Sequence, residues 1–148
     1  MHRRRFLALG VAALGCKASD SGKERMTASN ETPESLSQLS QALGLEFPAS
    51  TRLIGVLRSN GMDDAVRVKL EMAAKEFPDF LARTQIDPAS FRPGTRGMLG
   101  PDKGFWDPHQ SKSLRTGQAS RPSARSLNVG IDDSRADQVV VYLMEHGT

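Results

Sequence analysis

Between Val66 and Met72 the apolar residues Val66, Val68, Leu70 and Met72 alternate with the charged Arg67, Lys69 and Glu71, the period-two pattern of a strand with one dry and one wet face. A second alternation, Leu127, Val129 and Ile131, precedes a polar stretch from Asp132 to Asp137 and the branched run Val139 to Met144, which predicts a terminal hairpin. Arg52 to Arg58 is apolar and branched enough for a further strand, and Asn60-Gly61 after it is a turn signal. Helical spacing shows elsewhere. Leu36, Leu39 and Leu43 share one helical face, opened by Thr32-Pro33-Glu34 and closed by Gly44. Lys75 to Gln85 predicts a second helix whose first turn accommodates Pro78 and whose pair Phe77 and Phe80 lies on the sheet. The pattern therefore predicts an α+β fold in two layers, a mainly antiparallel sheet of about four strands with two short helices on one face. Closure into a β-barrel-like form is the alternative.

From Arg92 to Arg125 the pattern fails. These 34 residues hold five Gly and four Pro, and a stretch so long without regular structure is uncommon in a compact domain unless it is functional. It reads as one long irregular loop. Seven basic residues, Arg92, Arg96, Lys103, Lys112, Arg115, Arg121 and Arg125, stand there against Asp102 and Asp107, a local excess of +5. The single Trp, Trp106, lies within it.

The chain opens with a basic stretch from His2 to Arg5, a ten-residue apolar run from Phe6 to Gly15, and Cys16, the layout of a signal peptide. As a helix the apolar run would reach about 15 Å, half of a hydrocarbon core. Ala13-Leu14-Gly15-Cys16 resembles the lipobox of bacterial lipoproteins, in which the cysteine receives a diacylglycerol, although the family favours an aliphatic residue where Ala13 stands and a small one where Leu14 stands. Arg3-Arg4-Arg5-Phe6-Leu7 is similar to the twin-arginine export motif, with Arg3, Arg4, Phe6 and Leu7 at its positions. Lys17 to Glu31 contains no Leu, Ile, Val or aromatic residue and reads as a flexible tether. The resulting organisation is a signal peptide at 1–15, a tether at 16–31 beginning with a lipidated Cys16, and one globular domain at 32–148.

Composition sharpens this. Three of the 20 basic residues belong to the leader, so the remainder carries 17 basic and 17 acidic groups and offers no compositional reason to expect nucleic-acid binding. Cys16 is the only cysteine; once acylated, it leaves no thiolate or disulfide for the mature domain.

Candidate chemistry is sparse. Asp107, His109 and Ser111 are the residue types of a hydrolytic triad, but three residues two apart on an extended segment point the same way, whereas a catalytic histidine sits between its partners. Asp107 and His109 could instead share a metal with a third ligand from elsewhere, or Phe105-Trp106-Asp107-Pro108 could be a turn whose Trp packs on the core and whose Asp bonds the local backbone. Gly61-Met62-Asp63-Asp64 and Gly130-Ile131-Asp132-Asp133 look alike; carboxylates meeting at one sheet edge could hold a hard cation, while separate turn acids would face water. The seven basic residues read as an anion-binding surface through planar guanidinium forks, or as the solvated charges of a long loop. No motif implies a cofactor. The sequence thus leads to an expectation of a lipid-anchored protein of the bacterial cell envelope, facing the periplasm or the exterior. Its expected role is a non-enzymatic binding or accessory module for an anionic envelope component or partner protein. A small hydrolase or metal-dependent enzyme using Asp107 and His109 is the alternative.

Overall fold

The first helix begins where a reciprocal pair of hydrogen bonds closes it. The Gln38 N–H donates to the Ser35 hydroxyl at 3.2 Å and the Ser35 N–H to the Gln38 side-chain oxygen at 2.8 Å, a capping box that satisfies donors the helix itself cannot. Helix α1 runs Leu36–Leu43 and ends at Gly44, whose φ of 59° suits glycine. Leu39 and Leu43 are buried, as their spacing predicts. Residues 34–60 and 64–147 are described by the computed structural model. The leader, Cys16, the tether, Thr32-Pro33 and Gly61-Met62-Asp63 lie outside the described residues.

Strands β1 (Arg52–Ser59) and β2 (Ala65–Ala73) form an antiparallel pair with a bulge between Leu53 and Gly55. A short 3-10 turn, Ala74–Glu76, leads into helix α2 (Phe77–Arg83), with Pro78 in its first turn. Short β3 (Arg92–Pro93), then β4 (Leu114–Arg121), β5 (Arg125–Asp132) and β6 (Gln138–Gly147) complete a six-stranded open sheet in the order β1-β2-β6-β5-β4-β3, antiparallel throughout. The expected strands are all present, and the sheet exceeds the expected four by β3 and β4. Both come from the segment read as an irregular loop. β4 reads poorly as a strand because small and polar residues fill it: Gly117 lies where a Cβ would meet Ile86 and Phe91 at 2.9 and 3.0 Å.

Register settles the faces. Val68, Leu70 and Met72 on β2, Val139, Val141 and Leu143 on β6, and Leu127, Val129 and Ile131 on β5 form one core with α1 and with Phe80 and Leu81 of α2. The opposite face is not wet, as the alternation suggested. Leu99, Trp106, Leu114 and Tyr142 build a second buried cluster there, with Leu57, Phe105, Val140 and Met144 packed on it. Residues between β3 and β4, including 3-10 turns Arg96–Leu99 and Pro108–Gln110, cover this face. The sheet therefore has helices on one side and an ordered connection on the other, a third layer where two were expected. Among the described residues no helix is long and apolar enough to cross a membrane.

Candidate functional site

The connection is pinned at its middle by Trp106, which is fully buried. Its indole meets the Tyr142 ring edge-on, with centroids 5.4 Å apart at 89°, and its Nε1–H donates to the Leu99 carbonyl at 3.1 Å. Buried tryptophans find such a partner because an unpaired N–H is costly in an apolar setting. Paired backbone bonds between Lys103 and Trp106, at 2.6 and 3.1 Å, close the turn that delivers it. Glycines on the sheet make room: a Cβ on Gly55 would strike Phe105, and one on Gly130 would strike Leu99, each at 2.5 Å.

Seating Trp106 carries Asp107 onto the sheet. The Asp107 carboxylate accepts from Lys69 Nζ at 2.5 Å and from the Tyr142 hydroxyl at 2.9 Å; the Lys69 ammonium also lies 5.4 Å from the Tyr142 ring centroid. Burial of the phenol, then its hydrogen bond to the Asp107 carboxylate, holds the Tyr142 hydroxyl far above the usual tyrosine range. Trp106 packs on the core as the turn reading expects, but Asp107 bonds across to side chains of β2 and β6 rather than to the local backbone.

His109 is tied to a different acid. Its backbone N–H and its Nδ1 both bond Asp102 Oδ1, at 2.9 and 2.7 Å, and Gln110 Nε2 donates to Asp102 Oδ2 at 3.2 Å. Partial burial opposes ionisation of Asp102, yet these bonds from His109 and Gln110 outweigh it and hold the carboxyl below the usual range. With Nδ1–H directed at Asp102, Nε2 is the nitrogen left for a proton or a metal. Ser111 is buried. Asp107, His109 and Ser111 thus have separate surroundings and form no triad.

The paired acids separate as well. Asp64 lies 3.8 Å from Arg125 at the start of β5, whereas Asp132 ends that strand, about 23 Å further at ~3.3 Å per residue. Asp132 accepts from Ser113 at 3.1 Å and from the Ser134 N–H at 2.9 Å; burial opposes its ionisation, but these donors prevail and pull the carboxyl down to about 2. Asp133 takes Ser113 at 2.8 Å and pairs with Arg115. No group of metal-binding side chains assembles among the described residues.

The seven basic residues differ in their partners. Arg121 bonds the Leu43 carbonyl that ends α1 and lies 4.0 Å from Glu145, and Arg125 lies 3.5 Å from Glu145. Arg92 donates to the Ala89 carbonyl at 2.6 Å and Arg96 to that of Ser111 at 3.4 Å. Lys103 and Lys112 are exposed. Sequence reasoning missed Lys69, Tyr142 and Asp102, the partners that define where Asp107 and His109 sit; Lys69 was visible only as a polar position in an alternating strand. Cys16, Arg3, Arg4, Phe6 and Leu7 lie outside the described residues. No family model, curated protein or solved structure matches this chain.

Proposed function

We propose that the chain is an exported, acylated lipoprotein of a bacterial envelope whose globular domain serves as a binding or accessory module. The leader Arg3-Arg4-Arg5-Phe6-Leu7 and the quartet ending at Cys16 support the address. The observation that carries the role is the fate of Asp107: the carboxylate a hydrolase would use is bonded to Lys69 and Tyr142 and fastens the connection to the sheet. An anionic envelope component is the partner class that Arg92, Arg96, Lys103 and Lys112 favour, because among the described residues these four enter no ion pair of the kind that holds Arg115, Arg121 and Arg125. Membrane attachment tests the reading. Cys16→Ser should yield protein without label from palmitate and released from membranes, since a domain without acyl chains loses its anchor; an unchanged, extraction-resistant membrane fraction would dismiss the anchor.

A second reading, a small envelope hydrolase or metal-dependent enzyme, is favoured by the 2.7 Å bond between His109 Nδ1 and Asp102, which orients Nε2 as a base or ligand. In that reading Asp102, not Asp107, is the carboxylate serving His109. Cobalt(II) added to the chain discriminates: a ligand-field spectrum lost in His109→Ala supports the enzyme, and identical spectra for the two proteins dismiss a His109 metal site.

A further inference from the structure

Arg67 is a cation set among apolar side chains. On the sheet face that carries the second cluster, its register neighbours are Leu57 on β1 and Met144 on β6, both packed on that cluster. Its Nε is sealed from solvent and has no hydrogen-bond partner among the described residues. The acids of the same face are engaged elsewhere: Glu71 with Arg52 and Arg135, Asp107 with Lys69, Asp132 with Ser113 and Ser134, and Asp102, within the Gly97–Gly104 stretch itself, with His109 and Gln110. The other end of the guanidinium passes beneath Gly100, where a Cβ would lie 3.6 Å from Nη2. Gly100 has φ 68° and ψ −173°, a backbone conformation essentially restricted to glycine. Gly97 and Gly104, on either side of it in the chain, face open space where a Cβ would stand.

Arg67 as a whole is half-buried, but a guanidinium nitrogen sealed from solvent without a hydrogen-bond partner is costly, and such an atom in a native fold calls for an explanation. We infer that Arg67 is the anchoring cation of an oxyanion site, taking a phosphate group at its guanidinium end beside Gly100, where the flanking Gly97 and Gly104 face open space. The fork of an arginine matches two oxygens of such a group, which a lysine at this position would not. Lys69, two residues on along the same face, adds positive potential although its ammonium is already bonded to Asp107. The inference does not depend on the lipid anchor, and Arg67 is not among the basic residues of the connection.

The test uses the full-length chain, melted in inorganic phosphate and in chloride at equal ionic strength. The wild type should gain thermal stability saturably, by roughly 10 °C when phosphate exceeds Kd about 100-fold. Arg67→Met keeps the apolar stem and removes the fork; it should show no phosphate response and melt in chloride at or above the wild-type temperature. Arg67→Lys, which keeps the charge, should bind at least about ten-fold more weakly, and Arg83→Gln on α2 should respond as the wild type does. Equal melting of the wild type in the two salts, an unchanged response in Arg67→Met, or a lower melting temperature of Arg67→Met in chloride would each overturn the proposal. Vesicles of phosphatidylcholine with and without phosphatidylglycerol separate the sources. Binding to the anionic vesicles that free phosphate competes away identifies a lipid headgroup, and a response to free phosphate without vesicle binding identifies a soluble ligand.

Discussion

Leu99 occupies the space that a side chain on Gly130 would need. A Cβ on Gly130 would come within 2.5 Å of Leu99 Cδ1 and 3.2 Å of Leu114 Cδ1, and Leu99 is completely buried, so it has nowhere to retreat. Gly130→Ala should therefore lift the connection off the sheet at a cost of about 1–3 kcal/mol, read as a fall in Tm of about 5–10 °C. Gly104→Ala, where a Cβ meets no atom within 4 Å but φ is 60°, isolates backbone strain and should cost about 1 kcal/mol. Equal Tm for Gly130→Ala and wild type would show that Leu99 is not held there.

The charge on Lys69 matters because Asp107 reaches it. An alternating strand alone would make Lys69→Asp nearly silent, but here the new carboxylate would face Asp107 across the former 2.5 Å bond. Their side chains are 14% and 34% exposed, so water weakens the repulsion, and the expected loss is about 1–3 kcal/mol. Adding Asp107→Lys to that variant should recover part of it, a coupling that a double-mutant cycle measures. Additive effects would show that the two residues do not interact.

Tyr142 is the only tyrosine, so its ionisation can be followed by phenolate absorbance without ambiguity. Burial and the Asp107 carboxylate raise its folded-state value above the ordinary 10.0. A raised value favours the neutral form in the fold, so this contribution to stability is complete below pH ~10 and declines as pH rises beyond it. The native chain should show no phenolate near pH 10, and the signal should appear together with unfolding. Ionisation near pH 10 in a chain that remains folded would contradict the buried bond. In Asp107→Asn the phenolate should appear at lower pH than in wild type.

Asp132 gives the opposite dependence. Its value falls from 3.8 to about 2 in the fold, so its contribution is present above pH ~4 and lost as pH falls from there toward 2. Allowing for solvent screening, that contribution is on the order of 1–2 kcal/mol. Ser113→Ala removes a donor to both Asp132 and Asp133 and should flatten acid denaturation over this window; an unaltered acid limb would remove Ser113 from the account.

The β4–β5 hairpin explains why part of the sheet was illegible. Its turn, Pro122-Ser123-Ala124, lacks the glycine or asparagine that marks such turns, yet Ser123 and Ala124 adopt φ of 62° and 53°, a conformation that costs a non-glycine residue about 1–2 kcal/mol. Ala124→Gly should accordingly raise Tm by a few degrees, checked by thermal unfolding. Packing of Leu127, Val129 and Ile131 across the sheet supplies what the turn lacks.

Local pattern alone determined the elements whose stability is local or whose period is strict: α1 with its glycine stop, α2 with its early proline, and the strands around Val68, Val129 and Val141, together with the helix-side core they build. The expected leader and the expected acylation of Cys16 rest on short-range motifs in the sequence alone. Only the tertiary structure decided that the polar face of β2 is covered, that Asp107 belongs to Tyr142 and Lys69 while His109 belongs to Asp102, and that Arg67 Nε is buried without a hydrogen-bond partner among the described residues. The reason is physical. Alternation records that two faces differ in polarity, but which chain segment packs on the polar face depends on contacts between residues far apart in sequence, such as Trp106 on Tyr142 and Leu99 over Gly130, and no local period encodes those.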